Sequence, residues 1–372
     1  MEACQVQHFF YNDQDFVHHV VRSKECDRLT KLSMFDNTLR SGWTKKMQQG
    51  LFSYTLADLR TRILPGSYGF VAQLNILRGQ ERRKPQRILS IRQQFDAKQF
   101  NFNRINPEEI IFEMKKQCVD PEFKGSALCS GATGGLDRMF VVINVSPLEF
   151  AHCLFIPEPT LCLQQILTPS AIQVGIESVF LSSDPGFRVG FNSLGAFASV
   201  NHLHLHGYYL DRELRIESAP TETAVPEKGL HRLTDFPTGF LFYTEGENLQ
   251  AIVGVICQLT DFLVERNIAH NLFLTRGCPP GRCHRPMLTR SGVRIIIWPR
   301  TPCFGAKEES AFNVALCELA GHLVIKNRED FENITESEVK CIIQKYLLSE
   351  NDFSQLQSEL CKYLLMHPEF IA

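Results

Sequence analysis

Asn201-His202-Leu203-His204-Leu205-His206-Gly207-Tyr208-Tyr209-Leu210 is the stretch on which the reading of this chain turns. Histidine and leucine alternate through it, and strict alternation predicts a β-strand. Successive strand side chains point to opposite faces, so His202, His204 and His206 are expected on one face and Leu203 and Leu205 on the other. Each imidazole can attack, donate or ligate near neutral pH. Two chemical readings follow, a histidine nucleophile with helpers or a metal site. The third is a set of hydrogen-bonded structural histidines.

The flanking pattern sets the fold class. Upstream, Met139 to Val145 reads as a strand, Ser146-Pro147 as a turn and His152 to Ile156 as a second strand stopped by Pro157. Residues 168 to 183 carry helical periodicity with Pro169 in the first turn, and Phe187 to Asn192 reads as a third strand. Further upstream, Tyr68 to Asn75 reads as a strand running into a basic stretch, Arg78 to Pro85, and Asp36 is placed to cap a helix through Trp43 and Met47. Downstream, a similar order recurs without a triple histidine. Strands are expected at Gly239 to Thr244, His270 to Arg276 and Val293 to Trp298, with helices at 248 to 267 and Ala311 to Leu323. This predicts an α+β fold of two related halves, with antiparallel sheets and packed helices, the second half degenerate. The expected divisions are a poorly defined segment 1–35, a catalytic half 36–215, a degenerate half 216–325 and a helical segment 326–372.

Composition excludes several classes. The 372 residues carry a net charge of −2, so bulk electrostatics points to neither a nucleic-acid nor a membrane partner. No apolar run reaches the length of a membrane span, and Met1 to Gln5 lacks the start of a signal peptide. Thirteen cysteines form no Cys-x-x-Cys pair. Without a signal they read as reduced thiols of a cytoplasmic protein. Asn144-Val145-Ser146 and Asn333-Ile334-Thr335 then match the glycosylation sequon by chance. Cys278 with Cys283-His284 is a weak zinc-knuckle candidate.

As a nucleophile, an unprotonated imidazole nitrogen takes a phosphoryl or nucleotidyl group and divides one transfer into two displacements. It needs a partner on its second nitrogen to aim it, and donors around the phosphorus. The Gly195 to Ser199 loop can supply hydroxyl and amide donors. As a metal site, imidazoles two residues apart on a strand are rooted about 7 Å apart and can share a zinc. A third ligand strains that geometry, and no carboxylate follows closely.

The pattern resembles the signature of the histidine-triad (HIT) superfamily. Asn144 to Pro157 resembles the superfamily's strand–turn–strand with an additional histidine, His152. Phe187 to Asn192 followed by Ser199 resembles its approach to the active strand. The two-half layout is similar to the galactose-1-phosphate uridylyltransferase branch. Within it, Phe70 to Asn75, Phe100 to Asn103, Arg188 to Tyr209, Ala269 to Gly277 and Ala311 to Asn313 resemble the GDP-sugar phosphorylases, over residues 50 to 325.

That resemblance implies a GMP–histidine intermediate on Nε2 of His204. It implies that His202 fixes the His204 tautomer through its backbone carbonyl, that His206 contacts the phosphates and that His152 supports the cluster. It places Asn144 near the ribose, with Asn192 and Ser199 holding phosphate oxygens. The implied substrates are GDP-D-glucose and inorganic phosphate, and no cofactor is expected. The uridylyltransferase relatives carry metal sites, but the spacing that would support one is absent here, so no required metal is expected. Arg82 and Lys84 are charge-based candidates for phosphate binding. One departure stands out: the transferase branch often has glutamine where this chain has His206, which leaves open whether water or phosphate accepts the GMP. The rival readings are a HIT-type hydrolase and a non-catalytic nucleotide- or zinc-binding protein.

Overall fold

The computed structural model describes residues 6–21, 31–56, 59–81, 86–118, 127–128, 138–281, 289–305 and 310–367. Its centre is a 12-stranded sheet. Along its main path the strands lie in the order His8–Tyr11, Ile110–Cys118, Met139–Ile143, Cys153–Pro157, Leu205–Tyr209, Phe187–Asn192, Ala269–Gly277, Gly292–Arg300, Phe240–Thr244, Leu230–Leu233 and Thr221–Val225. The first pair is parallel; the other neighbours on this path are antiparallel. The fold is α+β.

Both faces of this sheet are covered, and the alternation along its strands records it. Leu272 and Leu274 pack on one side with Ile295 and Ile297, beneath the helices Pro169–Leu181 and Leu249–Glu265. Phe273, Ile296 and Trp298 pack on the other, against a three-stranded sheet in which Val71–Leu74 lies between Arg60–Ile63 and His322–Ile325. Cover on both sides leaves every residue of Ala269–Gly277 and Gly292–Arg300 buried. The helix Glu350–Met366 sends Phe353, Leu356, Leu360 and Leu364 into the first of these cores.

Phe187–Asn192 and Ala269–Gly277 join the two halves directly, with Asn192 opposite Asn271. The sheet therefore runs unbroken between them.

Several elements depart from expectation for identifiable reasons. The helix expected from Ala311 to Leu323 is confined to Leu316–Ala320. Gly321, at φ +100°, ends it in a left-handed turn, and His322–Ile325 then pairs in parallel with Val71–Leu74. Ser33, not Asp36, caps the helix Met34–Gln48. Asp36 is buried at its third position and accepts hydrogen bonds from Ser182, Ser183 and Tyr209. Cys283-His284 and the basic residues Arg82 to Pro85 lie outside the described residues.

Candidate active site

Only the second half of the histidine stretch is a strand. Leu205–Tyr209 pairs with Cys153–Pro157 on one side and Phe187–Asn192 on the other. Before it, the backbone turns to other partners. Asn201 N–H donates to Gln86 Oε1 at 2.8 Å, Leu203 N–H to the Leu163 carbonyl at 2.8 Å, and His204 N–H to Gln165 Oε1 at 3.0 Å. Amides satisfied by side chains and loops have no ladder to join. Gly207 lets the strand sit close: a Cβ there would approach Phe155 Cε2 to 2.6 Å.

The expected common face is consequently broken. His202 packs among Phe95 and Phe102 and accepts the Phe102 N–H on Nδ1 at 3.1 Å. His204 and His206 line a cavity of about 540 Å³, with ring centroids 5.1 Å apart. A volume in this range suits a nucleotide-sized ligand.

His204 is aimed from behind. Its Nδ1 lies 2.8 Å from the His202 carbonyl oxygen. A carbonyl only accepts, so Nδ1 carries the proton and Nε2 keeps its lone pair. Burial pushes the His204 pKa down to about 4, which keeps the ring neutral at physiological pH. Gln165, fully buried, grips the backbone on both sides of this residue: it accepts the His204 N–H and donates Nε2–H to the carbonyls of His204 and Asn192 at 3.1 and 3.0 Å.

His206 is tied to the neighbouring strand through His152, whose Nε2 lies 3.0 Å from His206 Nδ1. His152 Nδ1 in turn accepts the Leu148 N–H at 3.0 Å. Burial first, then the nearby Arg78 and histidine charges, depress both pKa values well below the usual imidazole range.

The donors expected to hold phosphate line the same cavity. Asn192 Oδ1 accepts from Asn271 Nδ2 at 2.6 Å and from the Leu316 amide at 3.0 Å. The Leu316 N–H can only donate, so the orientation of the Asn192 amide is settled and its Nδ2 is left as the donor. Ser199 and Asn144 are also in the wall, with Asn144 Oδ1 accepting the Ser146 N–H at 3.1 Å.

Several residues of the site carried no signal of their own in the sequence. Arg78 belongs to the basic stretch but lay outside the residues chosen from it; it donates to the Ser146 carbonyl and lines the cavity. Lys326, whose Nζ is 3.0 Å from Asn313 Oδ1, brings a second cation from just past the half that lacks the triple histidine. Glu318 is buried, and its carboxyl is pushed up to about 7 by desolvation. Gln165 sits in an unremarkable Gln-Gln pair, and only the folded backbone reveals its grip. Among the described residues, no group of three or more His, Cys, Asp or Glu side chains is placed to hold a metal ion.

A neutral imidazole with a bare Nε2, amide and hydroxyl donors and two cations is an arrangement for nucleotidyl transfer. Comparison with known proteins agrees with this chemistry. Residues 34–208 match the family model "GDPGP1-like, N-terminal domain" and residues 215–367 match "GDPGP1-like, C-terminal domain". The GDP-D-glucose phosphorylase 1 of Danio rerio is 59% identical over 98% of this chain and 100% of its own length.

The chain belongs to the GDP-D-glucose phosphorylase family.

The Homo sapiens member of this family is 50% identical over 88% of the chain and 83% of its own length. GDP-L-galactose phosphorylase 2 of Arabidopsis thaliana is 30% identical, covering 85% and 73% respectively. Among solved structures, yeast Ap4A phosphorylase Apa2 in complex with Ap4A shares the fold, with a TM-score of 0.56 at 14% identity over 85% of this chain and 98% of that one.

Proposed function

We propose that the chain is a GDP-D-glucose phosphorylase, converting GDP-α-D-glucose and inorganic phosphate into GDP and α-D-glucose 1-phosphate, and so removing misformed GDP-glucose in the cytoplasm. The observation that carries the reading is the 2.8 Å hydrogen bond from His204 Nδ1–H to the His202 carbonyl, which leaves Nε2 as a lone pair on a ring lining the cavity.

In the first step His204 Nε2 attacks the α-phosphorus in line, the bond to the bridging oxygen breaks, and glucose 1-phosphate leaves with the electron pair. In the second step a phosphate oxygen attacks the same phosphorus, the P–N bond breaks, and His204 recovers its lone pair. Asn192 Nδ2, Ser199, Arg78 and Lys326 hold phosphate oxygens, Asn144 meets the ribose, and Arg82 and Lys84 are further phosphate-binding candidates on charge. Neither the leaving sugar phosphate nor the incoming phosphate needs a proton moved, so positioning and charge neutralisation supply most of the rate. No nucleic acid enters this scheme, and among the described residues no helix is long and apolar enough to cross a membrane.

The test is product analysis with GDP-D-glucose, with and without phosphate, on the wild type and His204→Ala. GDP and glucose 1-phosphate should form only with phosphate, and the variant should lose at least about 1000-fold in rate with an unchanged circular dichroism spectrum. Activity within tenfold of wild type removes His204 as nucleophile.

A further inference from the structure

Which nitrogen of His206 carries the proton follows from its hydrogen-bonded neighbours. Leu148 N–H donates to His152 Nδ1. A neutral imidazole that accepts on Nδ1 holds its proton on Nε2. That Nε2–H is 3.0 Å from His206 Nδ1, which must therefore accept. The Asn144 Nδ2 that comes within 3.4 Å of the same His152 nitrogen is then a neighbour and not a donor to it. His206, neutral and accepting on Nδ1, holds its own proton on Nε2, on a ring in the cavity wall.

We propose that the Leu148–His152–His206 chain makes His206 a fixed hydrogen-bond donor, the equivalent of a glutamine amide, and that this selects phosphate over water as the GMP acceptor. His206 is the specificity-determining residue, and His152 is its positioning residue. The inference rests on the GMP–His204 reading above.

The chemistry follows from proton balance. Water attacking the GMP–histidine must lose a proton as its P–O bond forms, so it needs a base. Phosphate already offers an anionic oxygen; its attack forms one P–O bond, breaks the P–N bond, and returns the electron pair to His204 with no proton moved. A His206 that presents Nε2–H has no lone pair to take the proton from water, yet still donates to the phosphoryl oxygens. Glu318, the carboxylate among the described lining residues, is held at the start of its own helix, where its Oε2 accepts the Ala315 N–H at 3.0 Å.

Three variants test this, each assayed for the ratio of GDP to GMP at fixed phosphate and for the GMP adduct by intact mass. In His206→Gln, the new side chain can accept from His152 Nε2–H and present an amide to the cavity. It should retain at least about a tenth of the wild-type rate and the wild-type product ratio. His206→Leu removes the donor and should lose about 100-fold or more. His152→Ala frees His206 to adopt the Nδ1–H tautomer, and the GMP share should rise at least about tenfold. If His206→Gln falls as far as His206→Leu while the wild type still forms the adduct, or if a folded His152→Ala leaves the product ratio unchanged, the proposal is wrong. Should His152→Ala fail to fold, the glutamine–leucine contrast decides alone. Absence of the adduct in the wild type would instead defeat the GMP–His204 reading.

Discussion

Lowering the pH from 7.5 to 5.5 should strip this protein of a large part of its folding stability, because the fold buries histidines that refuse protons. Burial pushes His202, His204 and His270 down to about 4 and His322 to about 3. The unfolded chain titrates these groups near 6.5. Above that value both states are neutral and the stability is complete. As pH falls from 6.5 towards 4 the unfolded chain binds protons that the fold excludes, so stability declines; below the folded values these groups subtract nothing further. Each contributes slightly over 1 kcal/mol of loss at pH 5.5, about 5 kcal/mol for the four. Typical domains have about 5–15 kcal/mol in all. Urea unfolding followed at pH 7.5, 6.5 and 5.5 measures the change. His322, neither of whose ring nitrogens has a hydrogen-bond partner among the described residues, is the control position. His322→Phe should remove about 1 kcal/mol of the acid loss. A midpoint that stays constant from pH 7.5 to 5.5 would refute the reasoning.

Two substitutions probe the support of the nucleophile. Gln165→Leu leaves the His204 amide and the His204 and Asn192 carbonyls without their buried partner. It should lower the melting temperature through about 2–3 kcal/mol of lost stability and reduce kcat about 100-fold; a kcat within threefold of wild type would show that the grip is not needed for aim. Asn192→Asp keeps an oxygen for the Leu316 and Asn271 donors but replaces the phosphate-facing amide with a carboxylate oxygen. Steady-state kinetics should show kcat/KM falling at least about 100-fold from like-charge repulsion, and an unchanged kcat/KM would remove Asn192 from the phosphate site.

The strands around the histidines were legible because alternation and turn residues are local signals. Phe187–Asn192 falls where the pattern put it, and Met139–Ile143 and Cys153–Pro157 differ from it only at their ends. The histidine strand itself was read four residues too long at its start and one at its end. Its alternation is genuine, but alternation does not report that Gln86, Leu163 and Gln165 satisfy the backbone of residues 201 to 204. The Ala311 to Leu323 region misled for a related reason: its apolar spacing fits a helix, and only pairing with Val71–Leu74, more than 240 positions earlier, makes part of it a strand. Of the site, the histidines stood out by their pattern, whereas Asn144, Asn192 and Ser199 were marked only by the family resemblance. Lys326, Arg78 and Gln165 were not, since a lysine, an arginine or a glutamine at a segment boundary looks like any solvated residue until the fold turns it inward.

The half without the triple histidine helps to shape the cavity. The amide orientation of Asn192 is imposed by Leu316 and Asn271, and Asn313, Glu318 and Lys326 stand in the cavity wall. The two halves thus divide the labour: one carries the histidines of the cavity, and the other frames part of its wall. Changes between residues 313 and 326 can therefore reshape the cavity while His204 and its Gln165 support stay untouched.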